Sequence, residues 1–141
     1  MSERDNRISV RVYWEDTDAG GVVYYANYLK FFERARTEWL RALGVEQAAL
    51  QADTGAIFVV AEVNLRYLAA ARLDDLLTIT VKVLEQGAAS LDLEQQAWRG
   101  DTLLAEGRVR VGCVDGETLR PRRMPKQIWD ALQEKTRSPP L

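Results

Sequence analysis

Histidine is absent from the 141 residues of this chain, and cysteine occurs once. Without an imidazole the chain cannot provide a Ser-His-Asp or Cys-His nucleophile pair, a His-ligated metal or a histidine general base. Any catalysis must therefore use carboxylates, hydroxyls, lysine, tyrosine or backbone N–H groups. The lone Cys113 excludes an intrachain disulfide and a multi-cysteine metal site. We therefore expect a reducing, cytoplasmic compartment, no metal and no other cofactor.

The chain also has a small net charge and no long hydrophobic run. The chain has 19 basic and 21 acidic residues, a balance that argues against a nucleic-acid-binding surface. Its longest apolar run, residues 56–61, is far shorter than the roughly 20 residues of a membrane-spanning helix. The first residues, MSERDNRISVRV, lack the apolar segment of a secretory signal. We predict one soluble domain over residues 1–141, with a frayed tail at about 136–141.

The spacing of apolar residues predicts one long helix among several strands. Residues 8–14 alternate with period two, which predicts a strand. From 27 to 43 the apolar residues recur at steps of three and four, which predicts an amphipathic helix with Asn27 as its N-cap and Gly44 as its C-terminal cap. A short helical or irregular stretch follows. Four more strands are predicted in AIFVVAEVNLRYL, LLTITVKVL, SLDLEQQAW and TLLAEGRVRVGCV, before a last short helix that opens at Pro125.

This order of elements predicts an α+β fold, because strands in succession favour an antiparallel sheet over alternating βαβ units. We expect a sheet of about five strands against the long helix. Gly87 and the Gly100-Asp101 pair fall at turns, so the last three strands should form antiparallel hairpins. The continuous apolar run IFVV suggests cover on both faces of the sheet and hence oligomerisation.

The segment EDTDAGG lies between the first strand and the long helix and carries three acids. Asp16, Asp18 and Gly21 match positions 1, 3 and 6 of a calcium-binding loop, but two required oxygen ligands are missing, so we reject a calcium site. Two interpretations stay open. The acids could be solvated or bonded to local backbone, or one could be a catalytic carboxylate beside backbone N–H groups exposed by the glycines and the helix start.

A longer pattern around this loop resembles a known family. The run VYWEDTDAGGVVYYANYLKFFERARTEWLRALG is similar to the 4-hydroxybenzoyl-CoA thioesterase-like family of hot-dog proteins, and most of all to its Tol-Pal-associated acyl-CoA thioesterase branch. The later segments FVVAEVNLRYLAAARLDDLLTI, SLDLEQQ and VRVGCVD also resemble that branch. The resemblance implies a hot-dog fold, in which an antiparallel sheet wraps one long helix, and a homodimer or tetramer. It also implies hydrolysis of an acyl-CoA thioester, with acyl carrier protein as the other carrier to consider.

The resemblance also assigns site residues. It makes Asp18 the catalytic carboxylate, either as a nucleophile that forms a mixed anhydride or as a general base on water, and leaves Asp16 to organise the loop. The backbone N–H of Tyr25, near the helix start, would polarise the thioester carbonyl. The expected substrate-binding residues are Gly21, Val22, Tyr24, Asn27 and Tyr28. The tyrosines among them could equally be core residues, because aromatic side chains at helical spacing usually pack inward.

Two departures from the family pattern bear on mechanism. Close relatives often carry histidine where this chain has Tyr25, whose phenol can serve at most as a hydrogen-bond donor. The segment EQGAAS, residues 85–90, lacks the basic residues with which some family members grip the phosphates of CoA. Phosphate binding would then fall to Arg66, Arg72 or the RPRR run at 120–123, each of which is otherwise an ordinary surface charge.

Other chemistry is less well supported by the sequence. Glu33 on the long helix could be the catalytic acid, although its neighbours indicate a surface residue. Cys113 alternates with arginines on a strand and should be an inert buried thiol. A hot-dog dehydratase would need a histidine, which this chain lacks. The remaining alternative to a hydrolase is a binding module that captures acyl-CoA or acyl carrier protein without turnover.

Overall fold

A computed structural model gives the structure of the chain and describes residues 6–136. The predicted frayed tail lies outside the described residues, apart from Thr136 at the end of the last helix. The strands are β1 (Arg7–Arg11), β2 (Ala56–Tyr67), β3 (Leu76–Thr80), β4 (Lys82–Gln86), β5 (Ser90–Arg99) and β6 (Thr102–Asp115). The helices are α1 (Asn27–Ala42), α2 (Gln47–Thr54) and α3 (Lys126–Thr136), and a 3-10 turn covers Trp14–Asp16.

The strands form one antiparallel sheet in the order β1-β3-β5-β6-β2, with β4 also paired to β5. This confirms the α+β class and the predicted hairpins. The sheet has six strands because the segment LLTITVKVL divides at Val81. The Val81 N–H leaves the strand ladder and donates to the carbonyl of Asn6 (2.7 Å), while its side chain is buried.

Helix α1 supplies the hydrophobic layer that covers the sheet. Its buried residues follow the predicted stripe and include Phe31 and Leu40, which widen it. They join one core with inward-facing strand residues such as Leu77, Leu93 and Val109. The predicted N-cap is wrong by one residue, because Ala26 is the N-cap and Asn27 is the first helical residue. Gly44 follows the C-cap with φ +87°, as the sequence predicted for a helix end.

The first strand is shorter than predicted. Val12 is fully buried and continues the alternation of β1, but Trp14 has turned away from the core and is 74% exposed. The cause is local: the Asp16 carboxylate accepts a hydrogen bond from the Tyr13 N–H (2.8 Å) and closes a turn where the strand would have continued. The chain then crosses from β1 to α1 through residues 17–26, which hold the candidate site.

Candidate active site

Asp18 occupies a tight turn that leaves part of its carboxylate free. Its N–H donates to the Val22 carbonyl (2.9 Å), and the Gly21 N–H donates back to the Asp18 carbonyl (3.0 Å). Gly21 has φ +79°, a conformation that favours glycine. The Oδ1 atom accepts a hydrogen bond from the Gly20 N–H (2.8 Å), whereas Oδ2 accepts none from residues 6–136. The side chain is exposed, so one carboxylate oxygen can meet a substrate.

Asp16, two residues earlier, is buried and hydrogen-bonded through both its side chain and its backbone. Its carboxylate accepts from the Tyr13 N–H, and its carbonyl accepts from the Tyr24 N–H (3.0 Å) and from the Asn27 side-chain amide (2.7 Å). These bonds connect the end of β1, the loop and the start of α1. Asp16 therefore fixes the loop that carries Asp18.

The start of α1 offers backbone donors that the protein leaves unused. The Asn27 N–H donates to the Tyr24 carbonyl (2.8 Å) and the Tyr28 N–H to the Tyr25 carbonyl (3.4 Å), but the N–H groups of Tyr25 and Ala26 donate to nothing within residues 6–136. Free N–H groups at a helix N-terminus, with the positive end of the helix dipole, favour a negative charge. They can therefore stabilise the oxyanion of an acyl-transfer reaction.

Four tyrosine rings surround this helix start. Tyr24 packs on Tyr25 with 4.7 Å between ring centroids, Tyr25 meets Tyr67 edge-on at 5.9 Å, and Tyr28 lies 5.7 Å from Tyr67. A side-chain hydrogen bond with Tyr25 raises the pKa of Tyr24. Tyr67 comes from β2, and its hydroxyl donates to the Tyr25 carbonyl (3.2 Å). The sequence analysis did not assign Tyr67 to the site, because nothing in the local sequence connects it to the loop.

The predicted substrate residues divide between the surface and the layer below. Gly21 and Val22 are half-buried in the loop, and Tyr24 is half-exposed beside it. Asn27 and Tyr28 lie beneath the site, because the Asn27 amide nitrogen is committed to Asp16 and Tyr28 is only 3% exposed. Burial raises the pKa of Tyr28. These two residues support the site from below.

The candidate phosphate-binding arginines also differ in their surroundings. Arg66 forms an ion pair with Glu106, and Arg122 donates to the Thr54 carbonyl (2.7 Å). Arg72 is exposed, and its backbone bridges to Val22 of the loop that carries Asp18. No ion pair of the Arg72 guanidinium occurs among the described residues. Among these three arginines, Arg72 lies next to the loop that carries Asp18, and its charge interacts with the nearby Asp75 carboxylate.

A separate cavity of about 300 Å³ lies between α1 and β2 and does not include Asp18. Glu33 and Arg36 line it. Glu33 is exposed, while Arg36 donates to the buried Gln95 (2.9 Å), whose amide donates to the Phe32 carbonyl (2.9 Å). Burial lowers the pKa of Arg36. This network connects α1 to the sheet.

Cys113 is fully buried in β6, where burial raises the pKa of its thiol. A protonated, inaccessible thiol is a poor nucleophile, as the sequence predicted.

Comparison with known proteins identifies the family. Residues 12–134 match the model of the thioesterase-like superfamily. The chain belongs to this superfamily. The thioesterase-like fold and the enzyme class expected from the sequence, a thioester hydrolase, are confirmed. Within residues 6–136 no helix is both long and apolar enough to span a bilayer.

Named relatives of the thioesterase-like chain match it over most of their length. The chain is 47% identical over 130 residues to the acyl-CoA thioesterase YbgC of Haemophilus influenzae, covering 91% of this chain and 96% of the relative. It is 49% identical over 123 residues to the acyl-CoA thioester hydrolase YbgC of Escherichia coli O6:H1, covering 86% and 91%. A probable thioesterase from Bartonella henselae superposes with a TM-score of 0.80 at 35% identity, covering 84% of this chain and 98% of that structure.

Proposed function

We propose that this protein hydrolyses acyl-CoA thioesters at the site formed by Asp18 and the start of α1. The observation that carries the proposal is the pairing, across one short loop, of an exposed carboxylate oxygen with unused backbone N–H groups. The carboxylate can attack the thioester carbon or activate a water molecule. The backbone N–H groups can stabilise the negative charge that develops on the carbonyl oxygen. The relatives named acyl-CoA thioesterases support CoA as the carrier.

In the nucleophilic route, a carboxylate oxygen of Asp18 bonds to the thioester carbon and the carbonyl π electrons move to its oxygen. The Tyr25 N–H donates to this oxyanion. Collapse breaks the carbon–sulfur bond, releases the CoA thiolate and leaves a mixed anhydride, which water hydrolyses to the acid and free Asp18. In the general-base route, Asp18 instead takes a proton from the water that attacks the thioester. Single turnover in ¹⁸O-labelled water tests the nucleophilic route, because ¹⁸O on Asp18 can arise only from water that attacks the aspartyl carbon of the anhydride.

The phosphates of CoA need a cation near the loop, and we assign this role to Arg72. Its exposed guanidinium and its backbone bridge to Val22 support the assignment over Arg66 and Arg122, which are engaged elsewhere. If the substrate were carried on acyl carrier protein, Arg72 would meet the phosphate of the prosthetic arm in the same way. The identity of the carrier, a cytoplasmic location and a Tol-Pal association stay predictions.

We assign the active form to a homodimer or a dimer of dimers, with the site at an interface. Strand β2 supports this, because among residues 6–136 it pairs only with β6 and its other edge has no partner strand. Its exposed side chains include Val60 and Val63, and its last residue, Tyr67, contacts the site. A long apolar edge strand favours pairing with a second chain.

The test is a turnover assay over acyl-CoA chain lengths with wild type, Asp18→Asn and Glu15→Gln. Glu15 is an exposed acid of the same loop, so Glu15→Gln makes the same change of charge without touching the site. We expect Asp18→Asn to lose at least about 100-fold in kcat and Glu15→Gln to match wild type. Equal activity of wild type and folded Asp18→Asn would exclude the assignment of Asp18. A wild type that binds acyl-CoA without hydrolysing it would instead indicate the binding module.

A further inference from the structure

Tyr67 makes three contacts with the start of α1, although 42 residues separate it from Tyr25 in the sequence. Its hydroxyl donates to the Tyr25 carbonyl (3.2 Å). Its ring meets the Tyr25 ring edge-on, with an interplanar angle of 76°, and lies tilted against the Tyr28 ring. The last residue of the edge strand is thus attached to the backbone that carries the proposed oxyanion donor.

The carbonyl that Tyr67 holds belongs to the peptide between Tyr25 and Ala26. This peptide directly follows the Tyr25 N–H and contains the Ala26 N–H, and neither N–H donates to any acceptor within residues 6–136. Among the described residues the Tyr28 N–H also donates to this carbonyl, at 3.4 Å, so each of the two bonds is about 0.2 Å beyond the usual range for its type. The Tyr67 hydroxyl is therefore one of the two restraints on this peptide. A hydrogen bond to a carbonyl also polarises the N–H of the same peptide.

We infer that Tyr67 is a positioning residue for the reaction, whose phenol holds the Tyr25–Ala26 peptide so that the N–H groups at the helix start point at the developing oxyanion. The inference rests on the proposed thioesterase function. Burial and the neighbouring Tyr25 raise the pKa of Tyr67, so the phenol is protonated and can donate at neutral pH. A merely structural tyrosine would affect folding, whereas a positioning residue affects kcat with the fold and substrate affinity preserved.

The test is Tyr67→Phe, which removes the hydroxyl and keeps the ring contacts. Because the side chain is 46% exposed, the variant should fold, with a Tm within a few degrees of wild type. We expect kcat to fall on the order of fivefold, the value of one neutral hydrogen bond, and KM to change less than twofold. Tyr13→Phe is the matched control, because Tyr13 is exposed and its hydroxyl lies outside the site. It should leave both constants unchanged.

Asp18→Asn, assayed in parallel, separates failure of this inference from failure of the proposed function. If wild type is active and depends on Asp18 but Tyr67→Phe keeps a kcat within twofold, the inference is wrong and the function stands. A rise in KM alone would also overturn it, because it would make Tyr67 a substrate contact.

If wild type hydrolyses no thioester, or if Tyr67→Phe is unstable, amide NMR of the protein decides the positioning role. Loss of the hydroxyl in Tyr67→Phe should shift the Ala26 and Tyr25 amide signals. Where that variant is unstable, fluorotyrosine incorporated at position 67 alone, which changes the donor strength of this phenol, should shift the same signals. Unchanged signals would show that the phenol does not hold the peptide.

Discussion

Asp16 and Asp18 are the same residue type in opposite surroundings. Asp16 is 6% exposed and its carboxylate accepts a backbone N–H, while its carbonyl accepts two further donors. Asp18 is exposed and keeps one carboxylate oxygen free of protein donors within residues 6–136. A buried, bonded carboxylate stabilises a conformation, whereas an exposed one held by a turn can react.

Substitutions at the two positions should separate stability from turnover. Asp16→Ala removes the acceptor of the Tyr13 N–H, so we expect it to lower the free energy of unfolding by about 1–2 kcal/mol. Asp18→Ala should change that free energy by less than about 0.5 kcal/mol, yet abolish turnover. Urea unfolding and an acyl-CoA assay measure both quantities on the same samples. Equal losses of stability in the two alanine variants would contradict this division of roles. An Asp16→Asn variant that is less active than Asp18→Asn would contradict it as well.

At this scale the family resemblance pointed to residues within the motif and not to the residues that support it. The resemblance assigned Asp18 and the Tyr25 N–H, and the structure places both residues at the surface of one loop. Asn27 was predicted to cap the helix, but its amide instead donates to the Asp16 carbonyl, eleven residues away. Tyr67 was missed because its contact depends on how β2 lies against α1. Periodicity within one segment carries no information about such a contact.

Helices and strands were predicted well where the spacing of apolar residues is regular, and their bounds were wrong where a single residue interrupts the hydrogen bonding. Helix α1 and strands β2, β5 and β6 agree with their apolar spacing within a few residues. The segment LLTITVKVL shows unbroken alternation but divides at Val81, because the Val81 N–H bonds to Asn6 outside the ladder. Trp14 also fits the alternation of β1, yet the bond from Tyr13 to Asp16 ends that strand earlier. Competing local hydrogen bonds decide such boundaries.

Alanine substitutions at two glycines of β6 test how closely β2 packs on this strand. Gly107 pairs with Leu65, and a Cβ there would overlap Leu65 Cδ2 and lie 2.7 Å from the Asn64 carbonyl oxygen. Gly112, on the same strand, has open space at that position. We expect Gly107→Ala to lower the free energy of unfolding by about 1–3 kcal/mol, because the backbone oxygen cannot move aside freely.

Gly112→Ala is the matched control and should be neutral or slightly stabilising, because alanine restricts the unfolded chain more than glycine does. Chemical unfolding of both variants measures the difference. If Gly107→Ala were as stable as Gly112→Ala, β2 and β6 would not pack as closely as the structure shows.

The molecule as a whole leaves one long strand edge open beside its candidate site. Strand β2 has twelve residues and, in the part of the chain that the structure describes, pairs only with β6. Strands β1 and β4, which also lie at the sheet margin, have five residues each. Val59, Val60 and Val63 of β2 are exposed, which is unusual for valines in a sheet. The same strand carries Tyr67 to the helix start. A second copy of the chain that covers this edge would bury the valines and would also enclose the candidate site at the start of α1.

We therefore expect wild type to sediment as a dimer or tetramer, and Val63→Lys to sediment as a smaller species with reduced turnover. A charge on the open edge opposes pairing of two copies, because both would carry it at the interface. Leu84→Lys is the matched control, since Leu84 is similarly exposed on β4. It should keep the mass and activity of wild type. A monomeric, fully active wild type would contradict the interface, and a Val63→Lys protein of unchanged mass would place the contact on another surface.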